Sequence, residues 1–236
     1  EQAITDVDNM ILAPITNVKE DKNIVVTFYR KESNVTAKYI DQNGKMLAEE
    51  VTTKNYVNEN YTTNAKDIYG YNLIATPNNA TGKYTEEDIV VNYIYELKAS
   101  QIIVNYVDEA LNDQVIETET IDGKVFDEKI INAKDIDGYI LVSDKDSQTI
   151  TMEEDVITIT FKYRKLSDVV VKYIDENYDS NIINNVVVAY KEGDAYTTEE
   201  KSFDGYQLTR KTDNTSGTVV RDNIEVVYYY KKISAG

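Results

Sequence analysis

The sequence contains no cysteine, no histidine and no tryptophan among its 236 residues. Without cysteine and histidine the chain has no disulfide, no thiol nucleophile, no imidazole acid–base pair and none of the usual zinc ligands. Its carboxylates are predicted to lie on surface turns, without a cleft in which two of them could hold a substrate. We therefore expect neither an enzyme nor a bound metal or cofactor.

Positive charge and long apolar runs are also scarce. The formal net charge is −17, and an acidic surface of this kind repels phosphate backbones and anionic lipids. No apolar run approaches the roughly 18 residues that span a bilayer. We expect a monomer with no nucleic-acid partner and no membrane insertion in this stretch of chain.

Three segments repeat without gaps, at Ile68–Tyr95, Ile136–Tyr163 and Phe203–Tyr230. Each has a Gly-Tyr pair near its start and a tyrosine at its end. A fixed period of this kind is the signature of a tandem array. It predicts domains at residues 33–98, 99–166 and 167–232, preceded by a partial repeat or divergent half-domain at residues 1–32.

Alternation of apolar and polar residues predicts strands at both ends of each unit. In the first unit Val35, Ala37 and Tyr39 share the apolar face of the opening strand. Asn43-Gly44 then predicts a hairpin with a type I′ turn. The stretch before the Gly-Tyr pair is too short for a long helix, so we expect one helical turn or an irregular crossover. The predicted fold class is all-β to α+β with little helix.

The predicted joints contain neither glycine nor proline: they read Leu97-Lys98-Ala99-Ser100 and Lys165-Leu166-Ser167. Flexible linkers are instead rich in glycine and serine. We therefore expect a semi-rigid, elongated rod in which each unit contacts only its neighbours.

These repeats resemble the MucBP (mucin-binding protein) domain of Gram-positive surface proteins. The resemblance is carried by VTAKYID with the following Asn43-Gly44-Lys45, by the Gly-Tyr pairs and by the closing IVVNYIY. It implies tandem small β-grasp (ubiquitin-like) domains and no catalytic residue. It also implies an extracellular place on the bacterial cell wall, in an adhesin or internalin-like protein that binds host mucin glycans or other carbohydrate.

Tyrosine is abundant, with 20 residues, and can compensate for the missing disulfides because its ring buries a large area while its hydroxyl stays hydrated. Most tyrosines fall on the apolar faces of predicted strands, where a core role is favoured. Aromatic rings also stack on sugars, and the candidate ligand-binding residues are Tyr56, Tyr61, Tyr69, Tyr84 and Tyr196.

Two reasons select these candidates. Tyr56, Tyr69 and Tyr84 break the repeat pattern or alternate outward, whereas Tyr61 and Tyr196 occupy equivalent positions. The middle repeat has Lys129 at that position and Ile150 where the other repeats have a loop glycine. If the tyrosine contacts the ligand, the middle repeat should bind worst.

The acidic clusters Glu86-Glu87-Asp88 and Glu153-Glu154-Asp155 precede two of the closing strands. They lack the spacing of a calcium loop, so solvated turns are favoured over a metal site. Two functions then stay open: a glycan-binding adhesion module, or a passive stalk that presents a distal domain. A protein partner docking on a strand edge is a third possibility.

Overall fold

The computed structural model of the chain describes residues 19–21 and 29–233. The partial repeat expected at residues 1–32 lies largely outside the described residues. Within them the regular structure is β-strand, apart from one turn of 3-10 helix at Glu109–Leu111. The expectation of a fold with little helix is confirmed, and the described ranges contain no helix long and apolar enough to cross a membrane.

The chain forms two compact units, and the boundary between them passes through the first repeat. The first unit comprises the described residues up to Lys38 together with Glu50–Asn64 and Pro77–Asn92. The second unit comprises Tyr39–Glu49, Ala65–Thr76 and the chain from Tyr93 onward, so it contains the whole second and third repeats.

The first repeat contains six strands. They are β1 (Glu32–Asp41), β2 (Met46–Tyr56), β3 (Asn60–Thr62), β4 (Tyr71–Ala75), β5 (Thr81–Lys83) and β6 (Ile89–Leu97). The four longer ones form a sheet in the order β2-β1-β6-β4, and β3 pairs with β5 in a small separate ribbon. The predicted alternation is confirmed, since Val35, Ala37 and Tyr39 are all buried.

The second and third repeats follow the same plan. The second contains β7 (Ala99–Asp108), β8 (Gln114–Lys124), β9 (Glu128–Asn132), β10 (Tyr139–Leu141), β11 (Ser147–Thr151) and the start of β12 (Ile157–Asp175). The third contains the end of β12 with β13 (Ser180–Asn181), β14 (Val186–Lys191), β15 (Ala195–Thr197), β16 (Tyr206–Lys211), β17 (Ser216–Thr218) and β18 (Ile224–Lys232).

Because β12 belongs to both repeats, their longer strands form one eight-stranded sheet, with the order β16-β18-β12-β7-β8 along its main path. A parallel pair of strands lies at the centre of each repeat's part of this sheet. In the second repeat β7 runs parallel to β12, with β8 and β10 antiparallel on either side. In the third repeat β12 runs parallel to β18, with β14 and β16 as the antiparallel flanks. This order confirms the expected tandem of small β-grasp-like domains with little helix.

The joints between repeats are strand backbone. β12 is one strand of 19 residues that closes the second repeat and opens the third. Only Lys98 separates β6 from β7, and its backbone N–H donates to the Gly70 carbonyl at 2.9 Å. Leu166 makes the equivalent bond to Gly138 at 2.8 Å. Neither joint therefore contains a free linker.

The first hairpin differs from its predicted turn type. Of the Asn43-Gly44 pair, only Gly44 has a positive φ, at 82°, whereas a type I′ turn needs both. The Asp41 carboxylate accepts bonds from the backbone N–H of Asn43 and of Lys45, at 2.8 and 2.9 Å. This side-chain support stabilises an alternative turn that the dipeptide alone does not reveal.

The crossover before each Gly-Tyr pair is irregular, and the closing tyrosine fixes it. The Tyr163 hydroxyl donates to the Lys134 carbonyl at 2.7 Å and accepts from the Lys134 N–H at 3.2 Å. The same pair of hydrogen bonds joins the Tyr95 hydroxyl to the Lys66 backbone and the Tyr230 hydroxyl to the Lys201 backbone. One hydroxyl thus satisfies a donor and an acceptor in a segment that has no helix to satisfy them.

Each of these lysines also covers the tyrosine of the opening strand. The Lys134 ammonium lies 4.4 Å from the ring centroid of Tyr106, which in turn stacks on Phe161 at 6.0 Å. The equivalent ammonium–ring distances in the first and third repeats are 4.4 and 5.3 Å. The crossover is therefore attached to the core by its backbone and by its side chain.

Removing the closing hydroxyl should loosen one repeat at a time. Tyr163→Phe leaves the partly buried N–H and carbonyl of Lys134 without their partner, which should cost about 1 kcal/mol. Hydrogen exchange of second-repeat amides would measure the loss. Tyr178→Phe is the control, because Tyr178 is 76% exposed. Equal exchange in both variants would contradict a structural role for the hydroxyl.

The buried tyrosines also predict a loss of stability at high pH. Burial, followed by a hydrogen bond to Glu119, raises the pKa of Tyr106 to about 12. An unfolded tyrosine ionises near pH 10, so unfolding is unaffected below that value. As pH rises from about 10 to 12 the unfolded chain loses protons that the fold retains, and the free energy of unfolding must fall. Denaturant titrations across this window should show the fall, and Tyr106→Phe should reduce it.

Candidate binding surface

Three of the five candidate tyrosines are buried. Tyr61, Tyr84 and Tyr196 expose only 8%, 4% and 5% of their surface. Tyr84 is a candidate because it breaks the repeat pattern or alternates outward, but it does not face outward: its hydroxyl donates to Thr53 Oγ1 at 2.8 Å and its ring packs edge-on against Tyr61. These rings leave little surface for a ligand to cover.

Tyr61 and Tyr196 each lie over a glycine on the neighbouring strand. They pair in register with Gly82 and Gly217, and each donates its hydroxyl at 3.0 Å to a carbonyl, that of Asn79 or of Asn214. A Cβ at either glycine would lie only 3.0–3.3 Å from the tyrosine above it. The glycines leave space for the rings.

The middle repeat has a different pair of residues at these two positions. Lys129 and Ile150 are cross-strand partners in register between β9 and β11, and Ile150 packs against the core. The two departures noted in the sequence are therefore one coupled exchange. In the middle repeat Lys129 stands in the place of the tyrosine, and Ile150, which packs against the core, stands in the place of the glycine.

Tyr56 borders an open cleft in the first unit. The cleft is lined by Tyr29, Arg30, Glu32, Lys54 and Tyr56. The Arg30 guanidinium lies 4.6 Å from the Tyr56 ring centroid and pairs with Glu59, while Lys54 pairs with Glu32. Tyr56 is 40% exposed, so its ring is accessible among groups of both charges.

Tyr69 lies where the first repeat meets the second, beside an aromatic residue that the sequence did not single out. Its ring centroid is 5.9 Å from that of Phe126 at an interplanar angle of 60°. Tyr69 and Phe126 are 56% and 48% exposed. Tyr71 lies on the other side of Phe126, with the ring centroids 6.1 Å apart.

Two carboxylates of the acidic turns accept hydrogen bonds from the protein itself and are not only exposed to solvent. Glu154 accepts bonds from Lys98 Nζ at 2.8 Å and from the Gly70 N–H at 2.5 Å, and these contacts lower its pKa. Asp88 accepts from the side chain and the backbone N–H of Asn34, which lowers its pKa too. Within residues 19–21 and 29–233 no group of three or more acidic residues is arranged to hold a metal ion.

Arg221 occupies in the third repeat the place that Glu154 occupies in the second. Its Nη2 lies 2.5 Å from Asp108 Oδ2 and 3.3 Å from the Tyr139 hydroxyl, and its Nη1 lies 3.0 Å from Glu192. The Asp108 carboxylate raises the pKa of Arg221. Asp108 is 1% exposed and the Arg221 side chain 29%, so a buried carboxylate at the joint between the second and third repeats pairs with a partly exposed guanidinium.

The MucBP domain family matches three stretches of the chain, at residues 34–96, 101–164 and 168–231. These stretches cover most of the sequence, and the chain belongs to this family. Each matched stretch corresponds to one repeat of the β-sheet fold.

Curated relatives are internalins of Listeria monocytogenes. Internalin J of serotype 4b (strain F2365) is 36% identical over 219 residues, which is 89% of this chain and 23% of the relative. Internalin I of the same strain is 34% identical over 140 residues, which is 57% of this chain and 8% of the relative. The chain thus spans about a quarter or less of these relatives. Together with the family, they support a surface adhesion or binding module.

Solved structures with some likeness include the Bacillus anthracis TIE protein, at 10% identity and a TM-score of 0.45, covering 86% of this chain and 51% of that one. The type 2 repeat of the mucus binding protein MUB from Lactobacillus reuteri covers 56% of this chain and 99% of its own, at 15% identity and a TM-score of 0.22. Likenesses of this size have no bearing on function.

Proposed function

We propose that this chain is an extracellular adhesion module of the bacterial cell wall. Each site binds host mucin or other glycans weakly, and the affinity of the whole chain rises because several sites bind at once. Residues 33–98, 99–166 and 167–232 act as its three domains, and the chain is a monomer. Membership of the MucBP family and the internalin relatives support this proposal.

The observation that carries the proposal is the exposure of Tyr56 and Tyr69 in a chain that buries most of its closing and opening tyrosines. An exposed ring can cover the apolar face of a sugar, and the charged groups beside it can bond to sugar hydroxyls. Tyr56 has Arg30 and Lys54 within its cleft. The Tyr69 hydroxyl accepts from the Glu154 backbone N–H at 3.5 Å, and the carboxylate of that residue pairs with Lys98.

The buried candidates have a supporting role in this proposal. Tyr84 exchanges backbone bonds with Asn58 and Glu59, and these residues form the turn that follows Tyr56. The Tyr84 ring packs against Tyr61. Tyr61 and Tyr84 thus hold the turn that presents Tyr56. In the third repeat Val219 makes the equivalent backbone bonds, with Gly193 and Asp194, and the candidate Tyr196 packs over Gly217 instead.

Retention of the full chain on a mucin-coated surface tests the proposal. We expect retention that soluble mucin oligosaccharides abolish and that falls steeply as the mucin density is lowered, because linked weak sites multiply their effect. Enzymatic removal of the glycans from the surface is the control. Equal retention on deglycosylated mucin would contradict glycan binding.

A passive spacer is the second candidate function. The 19-residue strand β12 and the one-residue gap at Lys98 favour it, because the joints contain strand backbone and no flexible linker. A spacer shows no retention on mucin at any density, with or without its glycans. The same surface experiment therefore separates the two functions.

A further inference from the structure

Phe126 occupies a backbone position that suits glycine or asparagine. It is the third residue of a turn closed by the bond from the Asp127 N–H to the Lys124 carbonyl, at 3.0 Å. Its φ is +73°, a left-handed conformation that is strained for a residue with a Cβ. Turns of this kind favour glycine or asparagine at that place.

The other two repeats have the expected residues there. Their turns are closed by equivalent bonds, from Glu59 to Tyr56 and from Asp194 to Lys191. The third residue is Asn58 in one, with φ +73°, and Gly193 in the other, with φ +92°. The backbone is therefore the same in all three, and only the middle repeat holds a large ring in the unfavourable conformation.

The ring of Phe126 contacts the preceding repeat at Gly70-Tyr71, the Gly-Tyr pair that recurs in all three repeats. A Cβ at Gly70 would lie 2.6 Å from Phe126 Cε2, so the ring closes directly over the glycine. At the next joint the equivalent Gly138 has open space around it. Tyr69 adds a second ring, where the equivalent residues are Asp137 and Asp204. The joint between the first and second repeats thus has two aromatic residues that the other repeats lack.

Packing alone does not account for this pair. A ring that only wedged the joint would be buried by it, yet Tyr69 and Phe126 keep about half of their surface in solvent. An exposed pair of rings held at the expense of backbone strain is the pattern of a binding site. The ion pair of Lys98 with Glu154 borders the rings, with each side chain 28–29% exposed.

We propose that Tyr69 and Phe126 form a sugar-binding platform at the joint between the first and second repeats, with Lys98 and Glu154 as its polar rim. The platform takes one pyranose unit of a mucin oligosaccharide, whose apolar face lies on the rings and whose hydroxyls reach the rim. It rests on the proposed function and adds to it a composite site, since Tyr69 and Phe126 come from different repeats.

Residues at the equivalent positions of the other repeats provide substitutions that the fold accommodates. Phe126→Asn introduces the residue of the first repeat, and Tyr69→Asp introduces the residue of the other two. Phe126→Asn also removes the backbone strain, so a loss of binding cannot be attributed to misfolding if the melting temperature is unchanged or raised. Tyr178→Ala, at a ring 76% exposed elsewhere, is the matched control.

The test is a titration of the full chain with oligosaccharides released from mucin, followed by amide NMR. We expect shifts at Gly70, Phe126 and Glu154 and none at Asp137 and Gly193, the equivalent joint in the same molecule. Each platform variant should weaken binding about tenfold, which corresponds to the loss of one well-placed ring contact. Tyr178→Ala should bind as the parent does.

The other outcomes overturn the platform in distinguishable ways. If the parent binds no oligosaccharide, the proposed function fails and the platform with it. If the parent binds but both variants bind equally well, glycan binding stands and the platform is wrong. If the variants lower the melting temperature without changing affinity, the two rings only wedge the joint. If deglycosylated mucin shifts the same amides, the partner is a polypeptide and the sugar platform is wrong.

Discussion

Tyr196→Lys should destabilise the third repeat, and adding Gly217→Ile should restore it. Tyr196 is 5% exposed, and its ring packs over Gly217 on the neighbouring strand. Its loss leaves a cavity and the Asn214 carbonyl without its donor, which together should cost about 3 kcal/mol or more. Gly217→Ile alone should also be costly, because a Cβ there would lie 3.3 Å from the ring.

The double variant should be more stable than the sum of the two single changes. It reproduces the Lys129–Ile150 pair, which the middle repeat accommodates in the same register. We expect a coupling of about 2–3 kcal/mol, in the range found for contacting residues. Native-state hydrogen exchange of third-repeat amides measures it, with second-repeat amides as the internal control. Additive losses would show that the two positions do not form one packing unit.

Arg221→Met should weaken the joint between the second and third repeats by about 2–4 kcal/mol. The substitution leaves Asp108, at 1% exposure, buried without its cation, and an uncompensated buried charge is costly. Adding Asp108→Asn should recover most of the loss because it removes that charge. The measurement is the denaturant dependence of amide exchange around Gly138 and Leu166.

Lys231→Met is the matched control for this ion pair. Its ammonium lies 3.8 Å from Glu176 and its side chain is 59% exposed, so the change should cost well under about 1 kcal/mol. If Arg221→Met and Lys231→Met have equal effects, the buried pair does not hold the joint.

The strands could be predicted from the sequence because their signal is local. Period-2 alternation and the recurring Gly-Tyr pairs indicate strands and repeats without knowledge of any distant contact. The irregular crossover could be predicted from its length. Its attachment to Tyr95, Tyr163 and Tyr230 could not, although the constant spacing to a lysine in every copy was a usable signal.

The candidate tyrosines show why the site was harder to predict. A tyrosine that recurs in two repeats out of three fits a ligand contact and fits a ring over glycine equally well. Two observations separate these interpretations. Tyr61 pairs with Gly82, and in the middle repeat both members of this pair are replaced together, by Lys129 and Ile150. Cross-strand register depends on the whole sheet, so a single sequence does not contain it.

Phe126 was missed for a different reason. Its significance depends on a positive φ, and an apolar residue in a polar turn gives no local sign of one. The comparison with Asn58 and Gly193 at the equivalent positions was the available clue, because those two residue types favour the left-handed conformation.

Chemical modification of tyrosines in the folded chain tests the division between structural and exposed rings most directly. Nitration by tetranitromethane, mapped by mass spectrometry, reports the accessibility of each tyrosine separately. We expect Tyr56 and Tyr69 to react rapidly, Tyr61, Tyr84 and Tyr196 to be protected, and mucin oligosaccharide to protect Tyr69. Rapid nitration of Tyr61 and Tyr196, with Tyr69 unaffected by the oligosaccharide, would contradict both the buried structural role and the joint platform.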